Sequence, residues 1–230
     1  GISNITVVDG KDVCNNFAFD IGPGNMVMDA IAHRIDPKHK YDPDGELAKK
    51  GTVDRELLSE LIQHEYFKKQ PPKSTGREMF GNNFVDTLFK ATPNEKLYDL
   101  LATVTALTAK AISNAIADHV VPRGGNLQEL LLCGGGVHND FLVQKIADAF
   151  PDIPLKKTDD YGVPSDAKEA MAFALMGNQT LMAKPGNVPM ATGAMRSTVL
   201  GKISLPTIRF GDYDQQKKFG NEPDFSQRQT

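Results

Sequence analysis

The chain has only two cysteines among its 230 residues, Cys14 and Cys133. Two are too few for a disulfide framework and suit a reducing compartment. Both sit in strand-like context and read as small buried hydrophobes. A strong charge of one sign is absent too. The formal net charge is -3, and no basic run with interleaved aromatics occurs, so nucleic acid is not expected as a partner. No run reads as long and apolar enough to span a bilayer, and no secretory leader is visible. The expectation is therefore no membrane association and a cytoplasmic location. CxxC, HExxH and GxSxG motifs are missing. The histidines, His33, His39, His64, His119 and His138, have no metal-ligand spacing.

What is present is a globular composition, 40% hydrophobic and 24% charged. Residues 1–10 and the run from Val13 to Phe19 read as two strands joined through the Asp9-Gly10 turn. The second strand leads into FDIGPGN, with Asp20 at its end, Gly22-Pro23-Gly24, and a helix through Met26, Met28, Ile31 and Ile35 capped by Gly24 or Asn25. Asp54 caps a helix through Leu57, Leu58 and Leu61. PPKSTGREMFG, residues 71–81, reads as a loop. Its Lys73, Ser74, Thr75 and Arg77 are donors suited to anions, but a plain surface loop is the preferred reading. Thr92-Pro93-Asn94-Glu95 carries the pattern of a helix start. The longest helix then keeps its spacing from Leu97 to about Val120 and stops at Pro122, Gly124 and Gly125.

The run Leu130, Leu131, Leu132, Cys133 suits a strand buried on both faces. Gly134, Gly135 and Gly136 follow at once, and then a helix through Leu142, Ile146 and Ala149. Strand, glycine turn and helix start bring bare backbone amides up to a phosphate or nucleotide. The chain has two such junctions, at Gly22 to Asn25 and at Gly134 to Gly136. They are expected to open on one shared groove. Leu155 to Thr158 reads as a short strand, and Ser165 or Asp166 as the cap of a helix with small apolar contacts. Thr198 to Ile203 is strand-like. From residue 207 to 230 the chain is polar and reads as a disordered tail.

Six ordered pieces, GISNIT (1–6), FDIGPGN (19–25), PPKSTGREMF (71–80), LLCGGGVHN (131–139), DAKEAMAFA (166–174) and PGNVPMATGA (185–194), resemble the anhydro-N-acetylmuramic acid kinase family. The resemblance runs to about Pro206. It implies an α/β fold, a ribonuclease-H-like lobe of the actin-like sugar-kinase ATPases, with a mixed sheet flanked by helices. It also implies ATP and Mg²⁺ as cofactors and an anhydro amino sugar as acceptor. The product would be N-acetylmuramic acid 6-phosphate, formed as water opens the anhydro ring during cell-wall sugar recycling.

By resemblance, Gly1, Asn4 and Thr6 belong to a phosphate-binding hairpin, and Gly134, Gly135, Gly136 and Asn139 lie by the nucleotide. Asp20, Gly22, Gly24 and Asn25 line the cleft, and Glu169 reaches the sugar. The metal ligands are not specified. The family's GTSMDG-type phosphate loop, and the aspartate base that accompanies it, have no match in this chain. No catalytic residue is therefore assigned within it, and the base is expected in a preceding lobe. Gly1 opens directly on ISNITVV, which reads as the inside of a structured element. The expectation is a C-terminal lobe, residues 1–206, inactive alone and completed by a missing lobe or a homodimer partner. The alternative is a non-catalytic module that binds nucleotide or sugar. A Rossmann-type dehydrogenase fits poorly, because no GxGxxG follows an early strand.

Overall fold

The computed structural model describes residues 1–12, 15–123 and 127–204. Expectations for Val13, Cys14, the Gly124-Gly125 helix stop, the tail and the last residues before it lie outside these. Strand β1, Ile2–Val7, alternates as its sequence demands: Asn4 and Thr6 face out, while Ile5 and Val7 are half-buried. It pairs antiparallel with β2, Phe17–Pro23. The second strand starts later than the sequence suggests and runs through Gly22 and Pro23, opposite Ser3 and Ile2. The Ser3 hydroxyl explains part of this, because it donates to the carbonyls of Gly22 (3.1 Å) and Pro23 (3.3 Å).

Helix α1, Asn25–Ile35, follows directly, with Gly24 in the capping position and no side-chain cap. Tight 3₁₀ turns at Pro43–Gly45 and Ala48–Lys50 bury Gly45, Leu47 and Ala48. Helix α2, Arg55–Leu61, is capped by Asp54, whose carboxylate accepts from the amides of Glu56 and Leu57, both at 3.0 Å. The short α3, Glu65–Lys68, and α4, Arg77–Phe80, flank the 71–75 loop, and α5, Asn82–Ala91, follows.

The axis of the molecule is α6, Leu97–Ala115. Leu100, Leu101 and Val104 pack with Val27, Met28, Ile31 and Ala32 of α1, and with Leu142 and Ile146 beyond. Its buried threonines are satisfied: Thr105 donates to the Leu101 carbonyl (2.8 Å) and Thr108 to that of Pro23 (3.0 Å). With its flanking turns this segment is in fact long and apolar enough to cross a membrane, contrary to the sequence reading. It is mostly buried as the core helix of the fold. Its start also differs. Thr92 ends α5, Pro93 is extended, and a 3₁₀ turn at Asn94–Lys96 leads in without a side-chain cap. At its far end the helix widens into a π-type turn at Ile116–Val120.

Strand β3, Leu130–Leu132, is short and leaves Leu131 45% exposed, so it is not buried on both faces. It runs parallel to β4, Leu155–Lys157, on either side of α7, Asp140–Ala149. The architecture is mixed α/β, but among the described residues the strands form two separate pairs rather than one mixed sheet. Helix α8, Lys168–Leu181, buries none of its residues, against the expectation of close apolar contacts, and α9 is a single turn, Pro189–Thr192. No strand forms between Thr198 and Ile203.

Candidate functional site

The first corner is built on backbone contact. The amide of Gly24 donates to the Gly1 carbonyl at 2.8 Å, and that of Met26 reaches the same oxygen at 3.4 Å. A Cβ on Gly24 would sit 3.1 Å from the main chain of Ile2 and Ser3, so only glycine lets the strand end and the helix start approach this closely. On the other side Phe67 closes in: its Cε1 would lie 2.7 Å from a Cβ on Gly22.

The second corner begins at Gly134, where φ is 78°. A β-carbon strains that left-handed geometry, and glycine does not. No atom lies within 4 Å of where a Gly134 side chain would begin, so this backbone is bare. A 3₁₀ turn, Gly135–His138, then hands over to α7. The two corners meet. Side chains begun on Gly135 and Gly136 would lie 3.3 Å and 3.4 Å from the Asn25 carboxamide. Asn25 makes no side-chain hydrogen bond among the described residues. The start of α8 is tied to the same place, because the Lys168 ammonium lies 3.0 Å from Cys133 Sγ and His138 Nε2 lies 3.1 Å from Asp166 Oδ1.

Beside the first corner lies an open depression of about 450 Å³ between the hairpin, the 71–75 loop and α9. Asn4 and Asp20 are paired across the two strands and so share the face that lines it, with Ser74 and Thr192 opposite. Asp20 is the one carboxylate among the lining residues. Its Oδ2 accepts from the Ser74 hydroxyl (2.7 Å) and the Thr75 amide (3.0 Å). Its Oδ1 accepts no hydrogen bond from the described residues. The Asp20 backbone is held as well: its carbonyl accepts from the Tyr66 hydroxyl (2.9 Å), and its amide donates to the Lys73 carbonyl (3.1 Å).

Burial sets the charges around these features. It pushes the Tyr66 phenol up, so the hydroxyl that holds Asp20 stays a donor. It lowers the Lys73 ammonium, which lies over the rings of Tyr66 (5.0 Å) and Phe19 (5.8 Å). Burial likewise raises the Asp29 carboxyl, one turn beyond Asn25, to about 6; the Gly1 amino group opposes this rise and the Asp42 carboxylate adds to it. Among the described residues no group of three or more acidic, histidine or cysteine side chains is arranged to hold a metal ion.

The sequence-derived residues thus separate into two neighbourhoods. Gly22, Gly24 and Asn25 join Gly135 and Gly136 at the meeting corners, while Asn4 and Asp20 line the depression. Thr6 lies two residues along the same strand face as Asn4. Asn139 is buried, and its carboxamide oxygen is committed to capping α7 through the Leu142 amide (2.9 Å). Glu169 is exposed in the first turn of α8, and no side chain among the described residues holds it. The sequence reading named Ser74 and Thr75 as donors but preferred a plain surface loop, and it did not single out Thr192. The run of donors at 73–77 was the available signal, outweighed by its likeness to any polar surface loop.

Fold and site together define an α/β protein in which two glycine-bearing strand-to-helix corners meet at Asn25, with a depression that carries one carboxylate beside the first. Residues 1–206 match the model of the anhydro-N-acetylmuramic acid kinase family, and the chain belongs to that family. It is 45% identical over 210 residues to the anhydro-N-acetylmuramic acid kinase of Salinibacter ruber, an alignment covering 90% of this chain and 52% of the relative. The relative from Caldanaerobacter subterraneus is 44% identical, with 89% and 52% covered. That from Clostridioides difficile is 42% identical, with 89% and 53% covered. The chain therefore spans about half the length of the curated relatives it matches.

Proposed function

We propose that this chain is the nucleotide- and acceptor-facing lobe of an ATP-dependent kinase acting on an anhydro amino sugar in the cytoplasm. In this reading it is a ribonuclease-H-like lobe of the actin-like sugar-kinase fold. The observation that carries the proposal is the contact of the two glycine corners through Asn25, which joins two stretches more than a hundred residues apart in sequence. The backbone at Gly134 is open, so phosphate oxygens or a flat base can lie against it, while the buried Gly22–Gly24 turn fixes where Asn25 stands. The space beside Gly134 is open, so its main chain can be approached. ATP, with Mg²⁺, supplies the phosphoryl group and its charge neutralisation.

Asp20 faces the acceptor in this scheme, and the general base is an aspartate of the part of the relatives' length that this chain does not match. That base takes the proton as water adds to the anomeric carbon. The bond from that carbon to O6 breaks, and O6 takes the γ-phosphoryl group of ATP, releasing ADP. Two donors already fix Oδ2 of Asp20, which leaves its Oδ1 to meet a sugar hydroxyl. The product is N-acetylmuramic acid 6-phosphate.

Turnover also uses the half of the relatives' length that this chain does not match, so the chain alone binds without consuming ATP. Calorimetric titration with ADP and a coupled assay of ATP consumption with the anhydro sugar test this together. Saturable ADP binding without turnover is the expected result. A folded chain that ignores ADP would sink the kinase reading, and clear turnover would show that the chain suffices by itself.

A further inference from the structure

We infer that the 71–75 loop is the clamp of the acceptor subsite, and that Ser74 is a positioning residue whose hydroxyl aims Asp20 into the depression. This rests on the kinase reading and names residues that neither the resemblance nor the fold assigns to the acceptor. Three contacts converge on one residue from a segment over fifty positions away: Ser74 and the Thr75 amide on Oδ2, and the Lys73 carbonyl on the Asp20 amide. Tyr66 adds a fourth from α3 at the Asp20 carbonyl. Here both donors fall on Oδ2, while Oδ1 is left without a partner among the described residues.

Inside the same loop the Thr75 hydroxyl oxygen is buried and finds no hydrogen-bond partner among the described residues. Buried polar atoms are rarely left so, and where they are, a missing ligand or water is a standard explanation. Lys73 fits a structural part. Among the described residues its ammonium donates to the carbonyls of Tyr66 and Phe67, at 3.5 Å and 3.4 Å, and lies over two aromatic rings, so it anchors the loop without competing for Asp20. The ligand chemistry is that of a neutral hydroxyl donor, a sugar hydroxyl or the water that it positions, and not an anion.

The test is a calorimetric cycle on the full chain with two probes, ADP and the 1,6-anhydro amino sugar. Ser74→Ala is expected to weaken sugar binding about tenfold, the usual weight of a hydrogen bond to a charged group, and to leave ADP binding unchanged. Ser74→Thr keeps a hydroxyl and restores the affinity. Asp20→Asn weakens sugar binding at least as much, and adding Ser74→Ala to it costs little more, because the two act as one unit. Melting curves of the variants establish that each is folded. The clamp is overturned if Ser74→Ala binds sugar normally, if Ser74→Thr fails to rescue, if the two substitutions add in full, or if the chain binds ADP but no sugar. Loss of ADP binding in the wild-type chain would instead overturn the kinase reading beneath it.

Discussion

Asp29 sits half-buried on α1, and burial holds its carboxyl at about 6. In the unfolded chain an aspartate titrates near about 3.9. Between these values the folded chain keeps a proton that the unfolded chain has lost. The stabilisation is complete below the lower value and disappears as pH rises through the upper one. Asp29→Asn is therefore expected to raise stability at pH 7.5, by about 1 kcal/mol once solvent screening of a half-exposed group is allowed for, and to make no difference below about pH 4. Thermal melting of both proteins across that range measures it; a constant difference at all pH values would refute the assignment. The sequence gives no hint of this residue, because one aspartate in an amphipathic helix looks like any other until its depth is known. Asp20 is the opposite case. FDIGPGN places it next to a strand-to-helix corner, but it sits inside β2 rather than at the strand end, and the donors that fix its carboxylate come from a distant loop.

At the scale of elements, the caps show what local pattern can and cannot decide. Asp54 is followed by a good helix former, and its carboxylate finds the two free amides; Asp54→Ala is expected to cost about 1 kcal/mol by denaturant titration. Thr92 has the same local credentials and fails, because Pro93 turns extended and α6 starts later through a 3₁₀ turn. Helix α6 itself is read correctly from spacing, since a run of Leu, Val, Ala and Ile at helical period has few other solutions. Leu101 is fully buried at its centre, so Leu101→Ala should cost about 2–5 kcal/mol. A loss below about 1 kcal/mol in equilibrium unfolding would show that α6 is not the core. Strand β3 misleads for a physical reason: a short apolar run has no periodicity to report which faces are covered, and Leu131 is open to solvent.

For the molecule as a whole, the largest departure from a self-contained core is the face that runs from α8 onward. Phe173 is 71% exposed and Leu181 is 75% exposed, with Leu175, Met182 and Met190 also open. Helical spacing sets Phe173, Leu175 and Leu181 around α8 rather than on one stripe, and so much exposed apolar surface marks contact with further protein. We expect concentration-dependent self-association in sedimentation velocity, reduced by Phe173→Lys with Leu181→Lys and without loss of melting temperature. A monomer at all concentrations would show that this face needs no partner. The sequence shows the helix but not its isolation, because its apolar residues fit a buried face equally well.

All of this returns to the place where Asn25 of the first corner meets Gly135 and Gly136 of the second. Amide chemical shifts of the labelled chain during an ADP titration read both corners at once. The account requires Gly24, Asn25, Gly135 and Gly136 to shift along one saturation curve. Shifts confined to one corner, or falling elsewhere on the molecule, would contradict it.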